Sequence, residues 1–187
     1  MDLLLSNTKD QALLAFIIKE AYEVARKQGN FVGRTAIQKI LYFLKVTGIE
    51  TNYRFDIYHY GPFCAEILRD IDILMADGVI KDISNNPQKY SNYAPSGAIQ
   101  ELLQQHKDAF PTDPIQKLVG AFISMRPEEL ELLATLDYVY RKEKAGSEKT
   151  PSKEQVLSSF FKVKKDKFHQ NIVEGVYDTM TRVGLLN

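Results

Sequence analysis

A mainly α-helical α+β fold, with a winged-helix-like core followed by a helical second half, is what this sequence predicts. Three observations predict it. Apolar residues recur at helical spacing through most of the chain. The period falls toward two only around residues 53–60 and 79–93. The second of these stretches turns on Asn85-Asn86-Pro87, which reads as a hairpin loop, and helices followed by a hairpin give the chain order of a winged helix with its wing.

The first helix is expected from Thr8 to Gln28, where Leu13, Leu14, Phe16, Ile17, Ala21, Val24 and Ala25 keep helical spacing and Gly29-Asn30 supplies a stop. A second runs from Arg34 to Val46 and ends at Gly48. Its inward face carries Ile37, Ile40, Leu41 and Leu44, with Thr35, Gln38, Lys39 and Lys45 elsewhere on the circumference. Tyr53–Tyr60 then reads as an extended segment ended by Gly61-Pro62, with Pro62 suited to the first turn of a helix over Phe63–Ala76. That helix buries Ile67, Ile71, Leu74 and Met75 and stops at Asp77-Gly78. Val79–Ile83 and Gln88–Tyr93 are the two expected hairpin strands.

Beyond residue 95 the pattern is helical throughout. Helices are expected over Ala98–Phe110, Pro114–Met125, Pro127–Lys142, Lys153–Phe161 and His169–Val183. Thr112-Asp113-Pro114 offers a capping residue before proline, and Glu128-Glu129 place carboxylates in a first turn, where the helix dipole favours them. Lys142–Pro151 is polar and punctuated by Gly and Pro, which marks a linker or exposed loop. The organisation follows: a winged-helix-like core over 1–95 with a helical part, 96–187, packed on it. A faint echo between Ile71–Ile80 and Val176–Leu186 reads as a shared helix stop at glycine with an aliphatic residue after it.

Composition bounds the function. Hydrophobic content of 44% and charged content of 26% are those of an ordinary globular protein. Apolar runs such as Ala12–Ile18 are too short to span a bilayer, and Met1–Asn7 lacks the basic region of a secretory signal. One cysteine, Cys64, leaves no intramolecular disulfide, and a cytoplasmic location is the expectation. The 24 basic and 24 acidic residues balance, unlike the net basic footprint of a protein that wraps nucleic acid. Helix 63–76 with Asp77 carries Arg69 against Glu66, Asp70, Asp72 and Asp77, the wrong sign for a groove between phosphates. A nucleic-acid-binding regulator would instead use the basic run Lys162, Lys164, Lys165 and Lys167.

Catalytic and metal motifs are weak. His59 and Cys64 flank the Gly-Pro break, and a thiolate near a helix start would be favoured, but no third group orients the histidine. Free cysteine is also among the most buried residue types. His59, His106 and His169 are scattered without zinc-site spacing, and no phosphate loop or dinucleotide fingerprint occurs. No cofactor is called for. The aromatic cluster Tyr42, Phe43, Tyr53, Phe55, Tyr58, Tyr60 and Phe63 is more informative. Its phenylalanines suit a core, whereas tyrosine hydroxyls need a partner or water and suit an interface beside Lys39 and Arg54.

Gln38-Lys39-Ile40-Leu41-Tyr42-Phe43, then Tyr58-His59-Tyr60-Gly61-Pro62, then a helix ending in Gly78-Val79-Ile80, resembles two related groups of bacterial proteins. These are the SocA-like (Panacea) domain and the YwgA-like group, and the resemblance covers about Arg34 to Ile80. Glu131–Thr135 is similar to a Leu-rich segment of the same groups. The chain departs from the SocA-like pattern at Phe63, where that pattern has Val, and in its long C-terminal part. The resemblance implies a non-enzymatic protein-interaction module, an antitoxin or adaptor in a toxin–antitoxin or prophage-related system, whose partner is a protein such as a toxin. On this reading the partner-binding residues are Gln38, Lys39, Tyr42, Tyr58, His59, Tyr60, Gly61 and Pro62. The alternatives are a nucleic-acid-binding transcriptional regulator and a Cys/His-dependent enzyme using Cys64 and His59.

Overall fold

The computed structural model describes residues 3–146 and 149–186. Within them the chain is α+β and mainly α: eight α-helices, one 3-10 turn and two separate two-stranded hairpins. No helix among the described residues is long and apolar enough to cross a membrane.

Helix α1 (Lys9–Gln28) opens with a capping box, in which the Thr8 hydroxyl accepts from the Gln11 amide while the Gln11 side chain accepts from the Thr8 amide. Helix α2 (Arg34–Val46) has the expected bounds but not the expected two-faced character. It is buried continuously from Ala36 to Leu44, Gln38 and Lys39 included, because α1, α5, α6 and a hairpin all pack around it. A helix covered on every side has no polar face to offer water.

The segment after α2 corrects one expectation. Gly61-Pro62 does not begin a helix but lies in β2 (Gly61–Phe63), paired antiparallel with β1 (Asp56–Tyr58) across a turn at His59-Tyr60. Helix α3 therefore starts later, at Ala65, and runs to Ala76, burying Ile67, Ile71 and Leu74. The second hairpin joins β3 (Ile80–Asp82) to β4 (Tyr93–Pro95), so its second strand begins only at the last residue of the expected 88–93. Residues 86–90 instead form a tight turn in which the Lys89 and Tyr90 amides donate to the Asn86 carbonyl.

Helices α4 (Ile99–Gln105), α5 (Thr112–Phe122), α6 (Pro127–Ala145), α7 (Lys153–Lys164) and α8 (Gln170–Arg182) follow in the expected order, with a 3-10 turn at Lys165–Lys167. Of the expected Lys142–Pro151 loop, the first residues extend α6, and 147–148 lie outside the described residues. A large core runs from Ala12 to Leu130 and gathers α1 to α5. A second, Leu132 to Leu186, gathers α6, α7 and α8. Tyr42 and Phe43 of α2 meet Ala134 of α6 between them.

The echo between 71–80 and 176–186 is a repeated helix stop. Gly78 and Gly184 both have positive φ, and the next amides, Val79 and Leu185, donate back to Leu74 and Met180.

Candidate functional site: a basic, aromatic cleft under the first hairpin

The motif residues hold the hairpin from beneath. The Gln38 amide brackets the Cys64 backbone, donating to its carbonyl at 2.8 Å and accepting from its N–H at 2.9 Å. Lys39 Nζ donates to the Pro62 carbonyl at 2.7 Å. Proline has no N–H of its own, so β2 is held to α2 through this carbonyl and the Cys64 amide. From the other side, Lys164 Nζ donates to the His59 carbonyl at 2.7 Å and to Glu131 Oε1 at 2.8 Å. Lys167 spans both oxygens of Glu131 and stands 5.0 Å from the centre of the Tyr60 ring. Gly61 is pressed into this cluster at φ 87°, and a Cβ there would come 2.6 Å from Thr135 Oγ1.

Charge is unbalanced beneath the hairpin. Two buried lysines, Lys39 and Lys164, lie near one buried carboxylate, Glu131, which pairs with Lys164 and not with Lys39. Among the described residues Lys39 has no carboxylate within ion-pair distance. Burial, reinforced by the nearby Lys164 charge and only partly opposed by Glu131, lowers its pKa to about 7. Burial lowers Lys164 as well, against the pull of Glu131.

Tyr42 is a core residue. Its hydroxyl donates to Asp137 Oδ2 at 2.6 Å, and Arg141 donates to the same oxygen at 2.7 Å. Burial, and then the Asp137 charge, raise its pKa. Of the eight expected partner-binding residues, Gln38, Lys39, Tyr42, Gly61 and Pro62 are thus buried, and Tyr58, His59 and Tyr60 are exposed.

Above the buried pins lies a cleft of about 750 Å³. Phe63, Tyr58 and Tyr60 form its hairpin wall, and the start of α2 and the 89–91 turn face them, with the α5–α6 junction closing the end. The second wall is built by long-range bonds. The Val32 amide donates to Asn92 Oδ1, the Tyr93 amide donates to the Val32 carbonyl, and Arg34 Nε donates to Ser91 Oγ. These bonds bring Phe31 within 5.8 Å of Tyr90, ring to ring. Phe31, Tyr58, Tyr60 and Tyr90 are all exposed, at 62%, 60%, 64% and 41%, an unusual gathering for one cleft. The charged residues lining it are Arg34, Lys39, Lys89 and Arg126, all basic. Among the described residues only Arg126 of these has a carboxylate within ion-pair distance, Glu129, which does not line the cleft. The interior is apolar, with Ala36, Leu68, Ile123, Met125 and Leu130.

Tyr58 and Tyr60 are the cleft residues that a tyrosine-rich motif reveals. Phe31, Arg34, Tyr90 and Arg126 come from three other segments and carry no local signal. The expected nucleic-acid run is divided: Lys162 and Lys165 are exposed, while Lys164 and Lys167 turn onto Glu131. Cys64 and His59 are likewise used separately. Cys64 is buried with its sulfur 4.0 Å from Glu66, and the His59 ring packs on Tyr58 at 4.8 Å. Among the described residues no group of three or more His, Cys, Asp or Glu could hold a metal ion.

Comparison with known proteins adds no further constraint: no protein-family model matches the chain, and no curated protein matches it.

Proposed function

We propose that this protein is a non-enzymatic protein-interaction module, of the antitoxin or adaptor kind that the resemblance to the SocA-like and YwgA-like groups implies. The observation that carries the reading is the hairpin tip. Tyr58 and Tyr60 stand exposed on a turn whose backbone is fastened from below by Gln38, Lys39 and Lys164. A rigid backbone bearing exposed tyrosines suits recognition, because little conformational entropy is left to lose on binding. Of the side chains that a Cys/His enzyme would need, Cys64 is buried and the exposed His59 ring lies against Tyr58. The basic run that a nucleic-acid binder would need is half consumed by Glu131.

The test is capture from a lysate of the native cells by the immobilised protein. A specific partner is expected to be retained, and the double variant Tyr58→Ala/Tyr60→Ala is expected to release it while keeping its helical circular dichroism. Equal retention by the variant would move the surface elsewhere. Absence of any specific partner would overturn the reading.

A further inference from the structure

Resting on that reading, we infer that the cleft receives a short acidic segment of the partner, an apolar side chain entering between the aromatic walls and flanking carboxylates meeting the basic lining. Three features of the cleft carry this. Its interior is apolar and its rim aromatic, which fits a hydrophobic anchor better than a phosphate backbone. Its charged lining is uniformly basic in a chain whose net charge is zero, so the positive field is concentrated here rather than general. Lys39 adds the third. It lines the cleft, is 2% exposed, uses one hydrogen bond on Pro62 and, among the described residues, has no carboxylate within ion-pair distance.

Burying an ammonium costs free energy unless an opposite charge offsets it. Glu131 is already shared by Lys164 and Lys167, so an acidic ligand would supply the counter-charge that the protein withholds. Arg34, Lys89 and Arg126 are exposed at the rim, where they would steer such a segment in and fix its direction. An extended or helical segment with one apolar anchor and two or more carboxylates meets all of these features. A basic or neutral segment meets only the first.

The experiment is selection from a random-peptide display library against the whole protein, followed by anisotropy titration of the selected peptides. Enriched peptides are expected to carry carboxylates on both sides of an apolar residue. The variant Lys89→Glu/Arg126→Glu, which changes only exposed side chains, is expected to weaken them about tenfold or more. Enriched peptides without acidic preference, lost on Tyr58→Ala/Tyr60→Ala but not on charge reversal, would overturn this inference and leave the interaction-module reading standing. Failure to enrich any peptide would overturn it too, with lysate capture then judging the broader reading. A labelled oligothymidylate that binds the wild type and is lost on charge reversal would overturn both.

Discussion

Gly61 is the residue on which the hairpin's position turns. At φ 87° it occupies backbone space that side chains rarely adopt, and its missing Cβ leaves room for Thr135 Oγ1 and, farther off, Lys39 Nζ. Thr135 cannot retreat easily, since it is fully buried and donates to the Glu131 carbonyl at 2.7 Å. Gly61→Ala is therefore expected to cost about 2–4 kcal/mol, combining backbone strain with overlap against a fixed neighbour. Gly97→Ala provides the contrast, because nothing lies within 4 Å of its added Cβ and its φ is not positive. That change should fall within about 0.5 kcal/mol of wild type. Urea midpoints of the two variants check both values, and equal costs would mean that Gly61 is not specially placed.

At the scale of elements, the first hairpin is stabilised less by its own ladder than by α2. Strands of three residues make few cross-strand bonds, and an isolated hairpin is marginal in water. Gln38 supplies the missing pairing by acting as a side-chain strand, one donor and one acceptor against the Cys64 backbone. Gln38→Ala leaves a buried N–H and C=O unsatisfied, so a loss of about 2–4 kcal/mol is expected. Faster hydrogen exchange at residues 61–64 should accompany it. Unchanged exchange there would show that the ladder suffices alone. The same geometry explains what could be read in advance. Helix α2 is legible to the residue and α1 to within one, because helical periodicity and the Thr8 cap are local. The β1–β2 hairpin is legible only in part: β1 lies inside the expected extended segment 53–60, but β2 is not marked, because Pro62 suits a helix start as well as a strand whose partner is a side chain. The cleft divides in the same way. Tyr58 and Tyr60 lie in one motif, whereas Phe31 and Tyr90 are brought together by bonds spanning the fold and Arg126 comes from the α5–α6 junction. Burial of Gln38 and Lys39 was hidden by a rule that usually holds, that amides and ammonium groups stay in water.

Across the whole molecule, the buried lysines and tyrosines together set how stability should vary with pH. Lys39 binds its proton less tightly folded, at about 7, than unfolded, near the ordinary 10.5. Between those values the unfolded chain holds more protons, so stability rises with pH across that window. Lys164, also lowered, acts in the same direction. The tyrosines act oppositely. Tyr42 and Tyr53 donate to Asp137 and Asp70 from buried sites, and burial first and those carboxylates second raise them above the ordinary 10. Above about pH 10 the unfolded chain releases these protons while the folded one keeps them, and stability falls. A maximum at about pH 9–10 is the expected result, more alkaline than for most globular proteins. Lys39→Met isolates the lysine. The difference in unfolding free energy between wild type and this variant should change in favour of wild type above pH 7, by at most about 1.4 kcal/mol per pH unit. Parallel curves from pH 7 to 10 in urea titrations would mean that Lys39 keeps its full charge in the folded protein. The buried charge imbalance beneath the cleft would then be compensated by groups other than Glu131.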